Sequence, residues 1–173
     1  MPYSMSQASV PVCEIGLTAL LGVVDKAAAQ AAAKKADPSV LLGWRLAPDM
    51  FAFTRQVQAV CDQAKNGLSR LAGVEPPKFE DNETTVEQVK ERVTRTLAYI
   101  KTLDPKAIDA SAEREIVIPL GPKKGRMKGA DYLNHFVLPN FYFHLTAAYS
   151  IARNFGADVG KRDYLGAIPL AMD

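Results

Sequence analysis

Only two histidines occur in the 173 residues, and both fall within one stretch, NHFVLPNFYFH, from Asn134 to His144. Imidazole can hold a metal or exchange a proton near neutral pH, so chemistry is sought here first. At about 100° per residue, the step from His135 to His144 comes to half a turn, and on a straight helix the two cannot share a metal. His135 then falls with Tyr142 and Arg153 on an outward-looking face. His144 is predicted to lie at the centre of a buried stripe formed by Leu133, Val137, Asn140, Phe141, Ala148, Ile151 and Phe155. Asn140 stands one turn before it. An amide and an imidazole on a core face must find partners, because an unpaired buried polar group costs about 1–3 kcal/mol. Gln56, a heptad from Asp49 and from Gln63, is the preferred partner from another helix. Asp62 and Arg55 lie farther round and read as solvated.

Pro139 cannot donate to the carbonyl of His135 and its ring crowds that turn, so a kink or break is expected, with the freed carbonyl capped by a side chain or water. The rings of Phe136, Phe141, Tyr142, Phe143 and Tyr149 read as core or dimer packing rather than a ligand box. Near the C-terminus, GKRDYLG sets two cations beside an acid and a tyrosine. It reads either as an anion clamp or, more simply, as a surface tail stitched by an Arg–Asp pair.

Helices must position these groups. A first helix is predicted over Val10 to Lys35, with Pro11 in its first turn and Asp37-Pro38 stopping it. A second starts near Asp49 as N-cap and ends at Gly73, with Met50, Phe53, Val57, Val60, Ala64, Leu68 and Leu71 along one stripe. The connection VEPPKFEDNE, Val74 to Glu83, is long enough to cross a bundle. A third helix opens on the capping-box pattern Thr85-x-x-Gln88 and buries Val86, Val89, Val93, Leu97 and Ile100, its other faces reading as charged and solvated. EIVIPLGPKKGRMK alternates around a Pro/Gly/Lys turn and predicts a small hairpin. The fourth helix runs from about Asp131 to Phe155, and an extended tail follows from Ala157. Four such helices, each roughly 30 Å long or more, bury their stripes most simply as one all-α four-helix bundle.

Composition narrows the function classes. With 48% hydrophobic and 23% charged residues, residues 1–173 read as one domain with a sizeable core. The 21 basic and 19 acidic residues leave a formal charge of +2, which favours neither nucleic acid nor an anionic membrane as partner. The apolar run ALLGVV is short and no basic region precedes it, so a cytoplasmic protein is expected. Cys13 and Cys61, without C-x-x-C spacing, read as reduced, buried thiols.

Four separated motifs, LAPDMF, RQVQ, HFVLPNFYFH and GKRDYLG, occur in this order across nearly the whole chain. Together they resemble a bacterial and fungal domain-of-unknown-function family, number nineteen-ninety-three, which is similar to a branch of the DinB/YfiT-like superfamily. The resemblance implies an up-down-down-up bundle, often dimeric, which suits the long connections before the third and fourth helices. In metal-binding members of that superfamily, one histidine from the second helix and an H-x-x-x-H pair on the fourth hold a divalent metal. Some of those members are thiol-dependent transferases or isomerases. Counted from Gly156, His144 matches the second histidine of that pair and Asn140 the first; counted from Asp49, the second-helix ligand falls near Gln56. Amides are poor ligands for Zn²⁺ or Ni²⁺. The resemblance therefore implies that the pocket remains without its usual metal site.

Three readings stay open. In the first, His144, Asn140 and Gln56, with Asp49 and Tyr142 as further contacts, form a cofactor-free pocket for an unknown small molecule, and His144 is a general base or acid. In the second, the same residues are a satisfied polar network in a non-enzymatic, homodimeric or stress-related binding protein. The third keeps a metal, with His144 joined by a carboxylate such as Asp49.

Overall fold

The computed structural model describes residues 4–169 and is a helical bundle with one small hairpin. Four long helices carry it: α1 (Met5–Ala33), α2 (Phe53–Ala72), α3 (Val86–Ile100) and α6 (Leu138–Phe155). α2 packs against α3 and α6, and α1 closes the ring against the same two, touching α2 lightly across the diagonal. Between α3 and α6 lie the short α4 (Pro105–Asp109), the strands β1 (Glu115–Leu120) and β2 (Lys123–Lys128), and a single turn, α5 (Gly129–Tyr132). The strands pair antiparallel in the register Glu115↔Lys128 to Leu120↔Lys123, joined by Gly121-Pro122.

The core is the set of stripes turned inward. Leu17, Leu20 and Val24 of α1 meet Val57, Val60, Cys61, Ala64 and Leu68 of α2, Val89 and Val93 of α3, and Phe141, Ala148 and Ile151 of α6. By length and composition alone α1 could cross a bilayer, yet here its apolar face is packed into the bundle. Cys13 and Cys61 are free and buried within that core, and burial pushes both thiols up to about 12. Close approach matters too: a Cβ on Gly67 of α2 would stand 2.6 Å from Val137 Cγ1.

Several boundaries differ from expectation. α1 starts at Met5 rather than near Val10, because Ser4 and Gln7 form a reciprocal capping box, leaving Pro11 inside the helix and not in its first turn. α2 starts at Phe53 with Ala52 as N-cap, and Asp49 sits exposed in the preceding turn. There the chain doubles back, with Phe53 N–H donating to the Trp44 carbonyl at 2.8 Å. α3 opens on the Thr85/Gln88 capping box as the pattern predicts. The tail is not wholly extended: α7 (Lys161–Leu165) docks on α1 through Lys26 Nζ and Asp163 Oδ1 at 2.6 Å. The stitch is thus Lys–Asp rather than Arg–Asp, and the tail beyond residue 169 lies outside the described residues.

The irregularity expected at Pro139 falls in the turn just before it, and the chain is helical through Pro139 itself. One turn of π-helix, Leu133–Val137, precedes it, with Leu138 N–H reaching back to the Leu133 carbonyl. α6 continues from this wider turn with Pro139 in its first turn.

Candidate functional site

His144 projects from α6 toward α2, where its Nδ1 lies 2.8 Å from Gln56 Oε1. Gln56 is buried at 1% exposure, and its Nε2 donates to the Phe51 carbonyl at 3.3 Å. With the amide nitrogen spent on a carbonyl, Oε1 can only accept, so His144 carries its proton on Nδ1 and presents a lone pair at Nε2. Nε2 is also open to solvent. Among the described residues the one buried side-chain nitrogen or oxygen without a partner is Arg92 Nε, and His144 makes no other hydrogen bond.

Two aromatic rings frame the imidazole. Phe51 stacks nearly parallel, 6.3 Å between centroids and 13° between planes, and Phe143 meets it edge-on at 5.2 Å and 83°. Arg55 lies over the outer face of the same patch, 5.6 Å from the Phe51 centroid. Burial and, second, the field of Arg55 lower the pKa of His144 below the ordinary histidine value. At neutral pH the ring is uncharged: a proton acceptor at Nε2, walled by phenyl rings, with a guanidinium nearby.

The other expected members are placed differently. His144 is half-buried, at the margin of the α6 stripe, whose centre is taken by Phe141, Leu145, Ala148 and Ile151. Asn140 does not join it. Its Nδ2 turns back to the Phe136 carbonyl at 2.7 Å. Asp49 is exposed ahead of α2. The exposed ring of Tyr142 lines an adjoining groove of about 420 Å³ with Leu46, Met50, Pro139 and Phe143, which Gln56, Asn140 and His144 do not line. His135 faces solvent, 3.9 Å from Asp131.

Asn140→Ala is accordingly expected to lower stability by about 1 kcal/mol through the lost bond to the Phe136 carbonyl, while the His144 titration followed by NMR stays where it is. A moved titration would mean that Asn140 does reach the imidazole.

A second polar cluster, on the α2–α3 side, was not expected from the sequence. Arg92, 3% exposed, bonds Glu83 Oε1 at 2.8 Å, Asp62 Oδ1 at 3.2 Å, Asp81 Oδ1 at 2.8 Å and the Glu80 carbonyl at 3.0 Å. Lys65 donates to the Pro77 carbonyl at 2.6 Å, and Lys65, Arg92 and Arg95 surround the Phe79 ring. The signal was there: Gln58, Asp62, Lys65 and Ser69 repeat at the spacing of a second inward face of α2.

Comparison with known proteins gives the family. The model of the domain of unknown function DUF1993 matches residues 5–165. The chain belongs to this family. Among solved structures, this DUF1993 domain is similar to a crystal structure of a DinB family member protein from Shewanella denitrificans. That protein is 38% identical over 97% of this chain and 95% of its own, with a TM-score of 0.90. The DUF1993 domain is therefore DinB-like, and its mostly helical fold agrees with the helical bundle that the resemblance implied. No curated protein matches it.

Proposed function

We propose that this DUF1993 domain binds a small molecule, without a metal, against the Nε2 face of His144. The observation that carries the reading is the 2.8 Å contact with Gln56, which fixes the tautomer and leaves Nε2 as an acceptor between two phenyl rings. A group that donates a hydrogen bond and has an apolar body suits such a site. Where a reaction follows binding, His144 is its general base, and the amide partner orients the ring without holding it charged.

The residues do not fit the divalent metal of the superfamily. Gln56 Oε1 is engaged by Nδ1, the Asn140 amide is turned onto a backbone carbonyl, and one imidazole remains. Among the described residues no group of three or more His, Cys, Asp or Glu side chains could hold a metal ion.

The test is a fragment screen with phenols, alcohols and carboxamides, read by ligand-observed NMR together with shifts at the His144 ring; the ligand-observed arm is repeated on His144→Ala with its fold checked by circular dichroism. Hits that perturb His144 and vanish in the variant are expected. Hits that survive in His144→Ala would sink the reading, and so would one bound metal per chain in protein purified without a histidine tag.

One observation favours a second, non-enzymatic reading. Gln56 spends both ends of its amide, joining α6 to the 44–51 connection, so the cluster also fixes how these elements sit on α2. In that case His144→Ala lowers stability and no fragment binds even the wild type.

A further inference from the structure

We infer that a cavity between α1, α6 and α7 binds a small, uncharged, apolar molecule about the size of a single aromatic ring. This site is separate from the one at His144. That imidazole is turned to Gln56 of α2, whereas the cavity lies where α6 meets α1 and α7.

The cavity holds about 180 Å³. Val12 and Ile15 of α1 and Leu145 of α6 line two sides, and Leu165 of α7 with Ile168 after it lines a third. The rings of Tyr142 and Tyr164 complete the wall, and the Tyr164 hydroxyl is already bonded to Thr146 Oγ1 at 2.9 Å. Among the described residues no charged side chain lines it. A carboxylate or an ammonium entering would lose its water and meet no opposite charge. An apolar molecule loses nothing by entering, and an apolar void of about 150 Å³ is large enough to stay dry and take up benzene.

The space cannot be closed by packing α1 and α6 harder. At Gly16 the two helices already touch: a Cβ there would stand 2.8 Å from Phe141 Cε1 and 3.0 Å from Leu145 Cδ2. The cover is fixed as well. Lys26 Nζ and Asp163 Oδ1, 2.6 Å apart, hold α7 to α1. Past its end Gly166, at φ +65°, turns the chain against α1, where a Cβ would stand 3.2 Å from that of Ala19. The walls therefore stay apart with unmet dispersion contacts on their inner side, and a guest of matching size restores them.

The cover also gives a way in. No residue of α7 is fully buried, and Leu165 and Ile168 are 38% and 48% exposed, so lifting this segment uncovers little that was hidden from water. Its side-chain hydrogen bonds to the long helices are Lys26–Asp163 and Tyr164–Thr146. A surface ion pair of this kind contributes little to stability. A guest can enter while the stripes of α1, α2, α3 and α6 remain packed on one another.

The test is a titration of methyl-labelled protein with toluene, followed by NMR. Saturable shifts are expected at Val12, Ile15, Leu145 and Leu165, with the His144 ring unmoved. Benzoate, a ring of similar size that carries a charge, should bind at least about 10-fold more weakly. Val12→Trp, which fills the cavity from α1, should weaken toluene binding at least about 10-fold; if that variant loses its helical circular dichroism, Leu165→Trp on the cover takes its place. The inference is overturned by the absence of saturable shifts, or by shifts centred on His144 or Phe143 instead. Benzoate binding as tightly as toluene, or undiminished toluene binding by the folded variant, overturns it equally. None of these results bears on whether hydrogen-bonding fragments bind at His144.

Discussion

Replacing Arg92 by alanine is expected to cost the fold about 3–5 kcal/mol, the usual penalty for breaking a buried charge pair by removing one partner. The guanidinium is the hub at which α2, α3 and the long connection between them meet. Without it, Glu83, whose side chain is 8% exposed, loses its charged partner and keeps Gln58 Nε2 at 2.8 Å as its side-chain donor. Asp62 and Asp81 can turn to water, being 30% and 42% exposed. Glu83 cannot. The melting temperature should fall by about 6–20 °C for a chain of this size, and a fall below about 2 °C would show that the network contributes little. Replacing Arg92 and Glu83 together by leucine should recover part of the loss, because two buried charges leave the core at once.

The same pair makes stability depend on acid. Burial alone would raise the pKa of Glu83, but hydrogen bonds from Arg92 and Gln58 overcome it and hold the carboxyl below the ordinary glutamate value. A carboxylate whose folded pKa is depressed contributes in full above its unfolded value, about 4.3. That contribution is lost as the pH falls through the folded value. Melting temperature should therefore drop on acidification below that point, and the drop should be shallower in Glu83→Gln.

What the sequence made legible was local or periodic. The Thr85/Gln88 capping box lies within four residues, and the stripes of α2 and α3 repeat without interruption. The equivalent signal at the start of α1, Ser4-x-x-Gln7, was equally available and places that helix five residues earlier than its apolar pattern does. The Gln56–His144 contact was legible for a related reason. A polar residue beside an apolar stripe on each of two packed helices has few other partners within reach.

What was not legible depends on backbone irregularity or on distant chain. The stripe predicted across Pro139 is buried at Leu133, Val137, Phe141, Ala148 and Ile151, but the π turn ahead of Leu138 and the return of the Asn140 amide to the Phe136 carbonyl leave no periodic signal. Arg92 belongs to a helix whose charged faces read as solvated. It is buried because residues 79–83, nine or more positions earlier, fold over it, and no periodicity records a connection folding over a helix. Asp49 looked like a helix start, yet the chain there pairs back on Trp44 before α2 begins.

Gly129→Ala is expected to be the most damaging change of a single methyl group, at about 4 kcal/mol. A Cβ at this position would stand 2.0 Å from the Ser111 carbonyl oxygen and 2.8 Å from its carbon. These are backbone atoms, so no rotamer can yield. Overpacking a tight site costs about 1–3 kcal/mol, and here relief means moving an oxygen that accepts from Arg114 N–H at 3.0 Å. It also means stretching the Gly129 N–H bond to the Arg114 carbonyl at 2.9 Å, at about 1 kcal/mol for each backbone bond lost. Together these bonds tie the base of the hairpin to the start of α5, and through the π turn to the helix that carries His144. Melting should occur about 8–16 °C below the wild type, and the His144 ring signals should broaden as α5 loosens. Gly22→Ala supplies the contrast. Gly22 lies on the exposed face of α1 with no atom within 4 Å of the place a methyl would take, and alanine there should add about 0.5–1 kcal/mol through helix propensity. If the two variants melt together, the backbone contact at Ser111 is looser than 2.0 Å implies, and the hairpin base is free to move relative to α6.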